Sequence, residues 1–291
     1  MSRTSLVPLV LLGLALVACK RENKAESGTE PAAPKAKVRI VSVGSANTET
    51  VFALGKGADV VAVDTSSLFP EAATKLPQVG YQRALSAEGV LSVQPTLVLL
   101  PTEGGPPAVI DQLKQSGLTI EVIDAPATEE GSKARFERIA ALTGADAAPV
   151  VKRFQEEVAA AKAEAAKTET TPKVLVLYAR GPGTVQAFGQ NTPADKLLGM
   201  AHAQNAAQGF EGNRPISAEA VVAWAPDYIV LPARGLDSLG GVEGVLEQPG
   251  LKETPAGKAG RVVPIDDLLL LGFGPRLGES VRTLSKAVHE K

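Results

Sequence analysis

Few side chains in this sequence have the type and spacing needed for chemistry. The chain has one cysteine, Cys19, and two histidines, His202 and His289. Zinc and manganese sites need several histidine and carboxylate ligands, so the sequence gives little basis for such a site. Asp266 and Asp267 are adjacent carboxylates, but they follow a predicted strand end, where we expect a loop, and no catalytic partner is evident. The Gly-x-Gly-x-x-Gly, Walker and Gly-x-Ser-x-Gly fingerprints of common enzymes are absent.

The N-terminal segment indicates export and attachment to a membrane. Arg3 precedes an apolar run, residues 6–18, that fits the hydrophobic region of a secretory signal but is too short to span a bilayer. The run ends in Leu-Val-Ala-Cys, which resembles a bacterial lipobox. We therefore predict a signal peptide at 1–18, a lipid on Cys19 and a polar tether over 19–37. This places the protein in the periplasm or at the cell surface, anchored by lipid to a bacterial membrane. The alternative is a cleaved signal peptide beside an incidental cysteine.

Composition and patterning predict an α/β fold. Hydrophobic residues make up 44% of the chain and charged residues 21%, which suits a sizeable core. The formal net charge is −2, so we expect no nucleic-acid partner. From residue 38, short apolar runs alternate with helical patterns, as in sheets of mostly parallel strands. The predicted strands are residues 38–43, 60–63, 97–100, 120–123, 174–177, 228–231 and 262–265; the predicted helices are 45–54, 86–93, 107–115, 133–143, 193–201 and 217–223, with a last helix from about 275.

One long helix is predicted between two strand–helix regions. Residues 150–167 contain neither glycine nor proline, and Phe154, Val158, Ala161 and Ala165 fall on one stripe. We therefore expect two Rossmann-like lobes with central mostly parallel sheets, joined by this helix. The predicted divisions are an N-terminal lobe at 38–145, the helix at 146–169 and a C-terminal lobe at 170–291.

An ungapped internal repeat supports the two-lobed arrangement. Residues 85–101 recur as residues 216–232, and Arg83 upstream of the first copy matches Arg214 upstream of the second. Each copy reads as a serine-capped helix, a turn at proline and a buried strand. Two similar lobes imply a ligand cleft between them, because binding sites favour domain interfaces and the carboxyl ends of strands.

Together these features resemble the helical-backbone class of ABC-importer binding proteins, which take up haem, siderophores, vitamin B12, or zinc and manganese. The resemblance covers essentially the whole mature chain and is closest to the haem (hemin)-binding branch. It rests on Gly-Tyr-Gln-Arg-Ala-Leu-Ser-Ala-Glu-Gly at 80–89, Pro-Ala-Arg-Gly-Leu at 232–236 and Leu-Leu-Leu-Leu-Gly-Phe-Gly-Pro-Arg at 268–276. The first segment is the most specific of the three.

The resemblance implies a ligand site. It assigns Tyr81 as the axial ligand of haem iron, and phenolate is a hard anionic donor suited to ferric iron. A free tyrosine phenol has a pKa near 10, so ligation at neutral pH requires the iron and nearby cations. Arg83 and Arg234 are candidates for pairing with the haem propionates, because guanidinium binds carboxylates bidentately. Arg180 is a further candidate cleft residue. Haem is then the transported ligand rather than a catalytic cofactor.

Other positions carry secondary expectations. Some haem binders of this class have a histidine early in the second lobe that supports a second haem, whereas residues 177–181 here have none; we therefore expect one haem. His202 lies on a predicted helix and is expected to be structural. Apolar side chains that could form the pocket walls, although the core is their ordinary place, are Phe69, Phe188 and Phe210.

Two glutamates occupy equivalent places in the repeat. In the resembled class one glutamate per lobe docks on the permease, and here these are Glu88 and Glu219. Alternatively each stabilises only the first turn of its helix through the helix dipole. The implied partners are an ABC permease and its ATPase subunit.

Two alternatives stay open. A siderophore or vitamin B12 binder shares the lobes and the glutamate pair, and differs by Tyr81 and its neighbouring arginine. An exported two-lobed α/β enzyme is the alternative of another class.

Overall fold

The computed structural model describes residues 38–181 and 183–289. The predicted signal peptide, Cys19 and the tether lie outside the described residues. The predicted α/β fold is confirmed, with one sheet in each of two lobes.

The first lobe is built on a wholly parallel four-stranded sheet. Its strand order is β2-β1-β5-β6, and helices connect strands that are parallel, as such crossovers require. A separate two-stranded hairpin, β3 with β4, precedes the third strand of the sheet. The elements are β1 (Ile40–Ser42), α1 (Ser45–Ala53), β2 (Val60–Val63), α2 (Glu71–Thr74), β3 (Gly80–Tyr81), β4 (Ala84–Leu85), α3 (Ala87–Ser92), β5 (Leu97–Pro101), α4 (Pro107–Gln115), β6 (Thr119–Ile123) and α5 (Glu129–Thr143), with a 3₁₀ turn at Gly57–Asp59.

The second lobe has a mixed sheet. Its order is β10-β8-β7-β11-β12, with β9 also paired to β7. Strands β7, β11 and β12 are parallel, whereas β8 and β10 add an antiparallel edge. The elements after the joining helix α6 (Ala148–Ala165) are β7 (Lys173–Tyr178), β8 (Gln186–Phe188), α7 (Pro193–Met200), β9 (Gln204–Asn205), β10 (Asn213–Pro215), α8 (Ala218–Trp224), β11 (Tyr228–Pro232), α9 (Ala233–Ser238), α10 (Gly241–Leu246), α11 (Pro255–Lys258), β12 (Val262–Ile265), α12 (Asp267–Leu271) and α13 (Leu277–His289).

Helix α6 joins the lobes through its apolar stripe. The predicted stripe residues are all buried, and Phe154 meets Phe136 of α5 edge to face at 5.1 Å between ring centroids. At 1.5 Å per residue the helix is about 27 Å long. The same apolar cluster continues into both sheets and into α13. This cluster is therefore shared by the two lobes, and each lobe also has an apolar cluster of its own.

The repeat appears as two equivalent structural units. Ser86 caps α3 by accepting a hydrogen bond from the Gly89 backbone N at 3.0 Å, and Ser217 caps α8 by accepting one from the Ala220 backbone N at 3.3 Å. Each helix leads into a strand, β5 or β11, buried inside its sheet. Both strands end in a proline. The residues that follow the two strands therefore occupy equivalent positions in the two lobes.

Two sequence expectations need correction. Asp266 and Asp267 do not lie in a loop: Asp266 accepts backbone hydrogen bonds from Leu268 and Leu269 and caps α12. His202 lies just beyond the end of α7, with φ of 57°, rather than on the helix. None of the helices in the described ranges has both the length and the apolarity to cross a bilayer.

Candidate functional site

A cleft of about 1000 Å³ lies between the lobes. Its rim includes Pro101 and Pro232, the last residues of the two repeated strands, so the cleft lies at the carboxyl ends of parallel strands. The structure brings together around it all four residues expected to bind ligand: Tyr81, Arg83, Arg180 and Arg234.

Tyr81 is positioned by the β3–β4 hairpin. Gly80 has φ of +105°, and a Cβ on it would lie 2.6 Å from the Ala84 carbonyl oxygen, so only glycine fits before the tyrosine. The Gly80 carbonyl also accepts a hydrogen bond from the Thr65 backbone N at 2.9 Å, which attaches the hairpin to the segment after β2. The Tyr81 side chain is 42% exposed and lines the cleft. Its phenol is therefore accessible to a ligand.

The wall of the second lobe carries two guanidinium groups. Arg180 follows β7 and lies over the Tyr178 ring, with 4.8 Å from Cζ to the centroid. Arg234, in the first turn of α9, donates its backbone N–H to Asp267 Oδ1 at 3.4 Å. Burial raises the pKa of Asp267, and the backbone hydrogen bond from Arg234 and the charges of Arg180 and Arg234 offset this only in part.

Positive charge prevails in the lining of the cleft. Four arginines outnumber two carboxylates among the described lining residues, so the cleft has a formal excess of two positive charges. Such a surface favours an anionic ligand, especially one with carboxylates. The positively charged lining residues are Arg83, Arg135, Arg180 and Arg234, and the negatively charged ones are Glu103 and Asp267.

A partly buried ion pair connects the two lobes. Arg276, which precedes α13, binds Glu49 of α1 through two hydrogen bonds of 2.8 and 3.0 Å. The Arg276 guanidinium also lies 3.7 Å from the centroid of the Phe69 ring. Burial raises the pKa of Glu49 despite these hydrogen bonds. Burial alone would lower the pKa of Arg276, but the hydrogen bond and charge of Glu49 raise it above its ordinary value. The group of this pair that titrates is therefore the Glu49 carboxylate.

A second cross-lobe contact lies beside this pair. The Phe273 carbonyl oxygen accepts hydrogen bonds from Ser132 Oγ and Arg135 Nη1, both at 2.8 Å. Both donors are on α5 of the first lobe, whereas Phe273 lies between α12 and α13 of the second. Arg135 and Phe273 also line the cleft. We call the lining residues Arg135, Gly272 and Phe273 the floor of the cleft. The segment 272–276 also connects the two lobes.

Of the three phenylalanines expected as possible pocket walls, only one lines the cleft. Phe188 lines the cleft and meets Tyr178 edge to face at 6.3 Å. Phe69 lies under Arg276. Phe210 stacks on Trp224, and Cζ of Arg214 lies over the Phe210 ring, 3.9 Å from its centroid. Neither Phe69 nor Phe210 is part of the cleft lining; Phe210 lies in the core, as is ordinary for such a residue, whereas Phe69 is 41% exposed.

The histidines do not reach the cleft. His202 and His289 stack on each other at 6.2 Å between centroids, and neither is among the lining residues. Within the described part of the chain, no group of three or more His, Cys, Asp or Glu side chains is placed to hold a metal ion.

Glu88 and Glu219 lie away from the cleft. Each is exposed in the first turn of its helix, α3 or α8, two residues after the capping serine. The repeat therefore presents one acidic side chain from each lobe in an equivalent local setting.

Comparison with known proteins defines the class. The family model for periplasmic binding proteins matches residues 40–268, and the chain belongs to this family. It is similar over 98% of its length to the ABC transporter substrate-binding lipoprotein YvrC of Bacillus subtilis (strain 168), with 29% identity and 94% of that protein covered. The chain is thus an extracytoplasmic substrate-binding component of an ABC transporter.

Comparison with solved structures shows a more specific similarity, to haem-binding proteins. The periplasmic haem-binding protein RhuT from Roseiflexus sp. RS-1 superimposes with a TM-score of 0.85 at 39% identity, covering 87% of this chain and 98% of that one. The periplasmic haem-binding protein BhuT, in complex with two haems, gives 0.82 at 39% identity with the same coverage. The haem-binding protein HutB of Vibrio cholerae gives 0.78 at 34% identity, covering 86% and 98%.

Proposed function

We propose that this protein binds ferric haem in the inter-lobe cleft and delivers it to an ABC permease. The observation that carries the proposal is the accessible phenol of Tyr81 in a cleft with excess positive charge. Phenolate oxygen is a suitable axial donor for ferric iron. The arginines supply partners for the two propionates.

The roles follow from position. Tyr81 is the proposed axial ligand, and Arg83 on the same hairpin is near enough in sequence to act on the same ligand. Arg234 and Arg180 approach from the opposite wall. A ligand held by all of these would contact both lobes at once. The haem-binding proteins of similar structure support this assignment at 34–39% identity.

We propose one haem per protein. BhuT is known with two haems, but residues 177–181 here, at the end of β7 and just beyond it, carry Arg180 and no histidine. A second iron would therefore lack a histidine ligand from this wall. Titration followed by absorbance should therefore end at one equivalent, and an endpoint at two would contradict this part.

Tyr81→Phe tests the axial ligand, and Tyr178→Phe is its matched control because Tyr178 also lines the cleft. We expect Tyr81→Phe to lose the charge-transfer bands of phenolate-bound ferric haem and to bind more than about tenfold more weakly, since losing even outer-shell support costs roughly 10–100-fold. Tyr178→Phe should keep the spectrum. Bands retained in Tyr81→Phe and lost in Tyr178→Phe would transfer the ligand role to Tyr178.

The remaining predictions complete the proposal. Glu88 and Glu219 dock on the permease, whose ATPase subunit drives import, and Cys19 carries the lipid anchor. The divisions at 38–145, 146–169 and 170–291 are supported by the position of α6 between the two sheets. The exposed glutamates on equivalent helices support the docking role.

Vitamin B12 is the second candidate ligand. A vitamin B12-binding protein of Yersinia pestis (strain Pestoides F) is 35% identical over 86 residues, which is 30% of this chain. The arginines of the cleft favour a ligand with free carboxylates instead. Competition separates the two: haem binding unaffected by excess cobalamin supports haem, whereas displacement by cobalamin supports the alternative.

A further inference from the structure

Arg135 is the least exposed charged side chain of the cleft lining. It is 8% exposed, on α5 at the floor of the cleft, whereas the other three arginines there are exposed. Its position differs from that of a solvated surface arginine, because its charge is removed from water.

The partners of Arg135 are neutral. Nη1 donates to the Phe273 carbonyl at 2.8 Å and Nη2 to the Ala125 carbonyl at 3.3 Å. Among the described residues it forms no ion pair with a carboxylate. Glu103 and Glu49 act on it only at longer range, and Glu49 is already bound by Arg276.

Burying a charge without a counter-charge is costly, and buried guanidinium groups are usually paired. Burial lowers the pKa of Arg135 to about 10, so the group is still a cation at neutral pH. Two of its nitrogens donate hydrogen bonds to the two carbonyl oxygens, whereas a guanidinium group has five N–H donors in all. Arg135 therefore makes hydrogen bonds that connect the lobes, but no carboxylate among the described residues pairs with its positive charge.

We infer that Arg135 forms an anion subsite at the floor of the cleft, which receives a carboxylate of the bound ligand. This rests on the proposed function, in which haem supplies two carboxylates. One propionate would point down to Arg135, and the other would be left to the exposed arginines of the walls. The bound carboxylate would neutralise the floor and join the ligand to the contact between α5 and Phe273.

The test compares ferric haem with its dimethyl ester, in which both carboxylates are neutral. Both affinities are measured for wild type, Arg135→Gln and the control Arg138→Gln. Arg138 is one turn further along α5, is outside the cleft and pairs with Glu121. Arg135→Gln should weaken haem binding about 10- to 100-fold, as expected for a lost hydrogen bond to a charged group. It should change ester binding far less, and Arg138→Gln should change neither.

An equal loss for haem and ester in Arg135→Gln would overturn the subsite and leave Arg135 as an inter-lobe contact only. If Arg135→Gln does not fold, Arg135→Lys carries the test, because lysine keeps the charge but lacks the planar fork. The preference for haem over the ester should then fall several-fold, with Arg138→Lys unchanged; a preference equal to that of wild type overturns the inference. Failure of wild type to bind either porphyrin would instead refute the proposed function.

Discussion

Replacement of Arg276 by methionine would leave the Glu49 carboxylate, 5% exposed, without its cation. Breaking a buried pair from one side typically costs roughly 3–5 kcal/mol, because the remaining charge stays buried. Arg276 is itself 20% exposed, so its own desolvation is incomplete and we place the cost at about 3 kcal/mol. For a domain of this size, that lowers the melting temperature by about 6–12 °C.

The pH dependence of this variant identifies the cause. Burial already raises the pKa of Glu49, and removal of Arg276 raises it further. A carboxyl whose folded pKa is above its unfolded value loses stability as pH rises between the two. We therefore expect the destabilisation of Arg276→Met, relative to wild type, to grow as pH rises above the already raised wild-type pKa of Glu49, with a limiting slope of about 1.4 kcal/mol per pH unit.

Calorimetry of the apo-protein across pH 5 to about 8 provides the assay. The double variant Glu49→Gln/Arg276→Met is the matched control, since it leaves no buried charge and should recover most of the lost stability. The reasoning is refuted if the double variant is as unstable as Arg276→Met, or if the loss is the same at every pH.

Three further predictions concern the repeat and the anchor. Ser86→Ala and Ser217→Ala should each lower the free energy of unfolding by about 1 kcal/mol, measured by urea denaturation, because each removes a helix cap; no change would contradict the capping role. The pair Glu88→Lys and Glu219→Lys should reduce haem import by reconstituted transporter more than about tenfold, since opposed charges at a docking surface hinder association, while haem affinity is unchanged; normal import would refute docking. Cys19→Ser should move the protein from the membrane fraction to the soluble fraction, because the lipid cannot attach; retention at the membrane would refute the anchor.

The repeated unit could be predicted well because its signals are local. Serine caps, the proline turn and the continuous apolar run place α3, β5, α8 and β11 within a residue or two of where the structure has them. Strands buried on both faces have this composition wherever they occur in α/β proteins. The stripe of α6 was predictable for the same reason.

The hairpin and the second-lobe edge could not be predicted in this way. β3, β4 and β9 have two residues each, and β8 and β10 have three, which is too short for an alternating pattern to appear. Their positions depend on pairing with distant strands. Tyr81 was therefore recognised by its sequence motif, and not by the element that holds it.

The motif at 268–276 was recognised in the sequence, but the residues that it contacts in the first lobe were not. Glu49 and Arg276 are 227 residues apart, and Arg135 occupies a helix where a charged residue normally faces solvent. Only the folding of α1 and α5 against the segment 272–276 removes these groups from water. Contacts of this kind depend on tertiary packing rather than on local pattern.

The most direct measurement for the proposed function is a crystal structure of the protein with bound ferric haem. The account predicts one porphyrin between the lobes, its iron bonded to the phenolate oxygen of Tyr81 and its carboxylates on arginines of both lobes. A porphyrin outside the cleft, or an iron bonded to any other side chain, would contradict it.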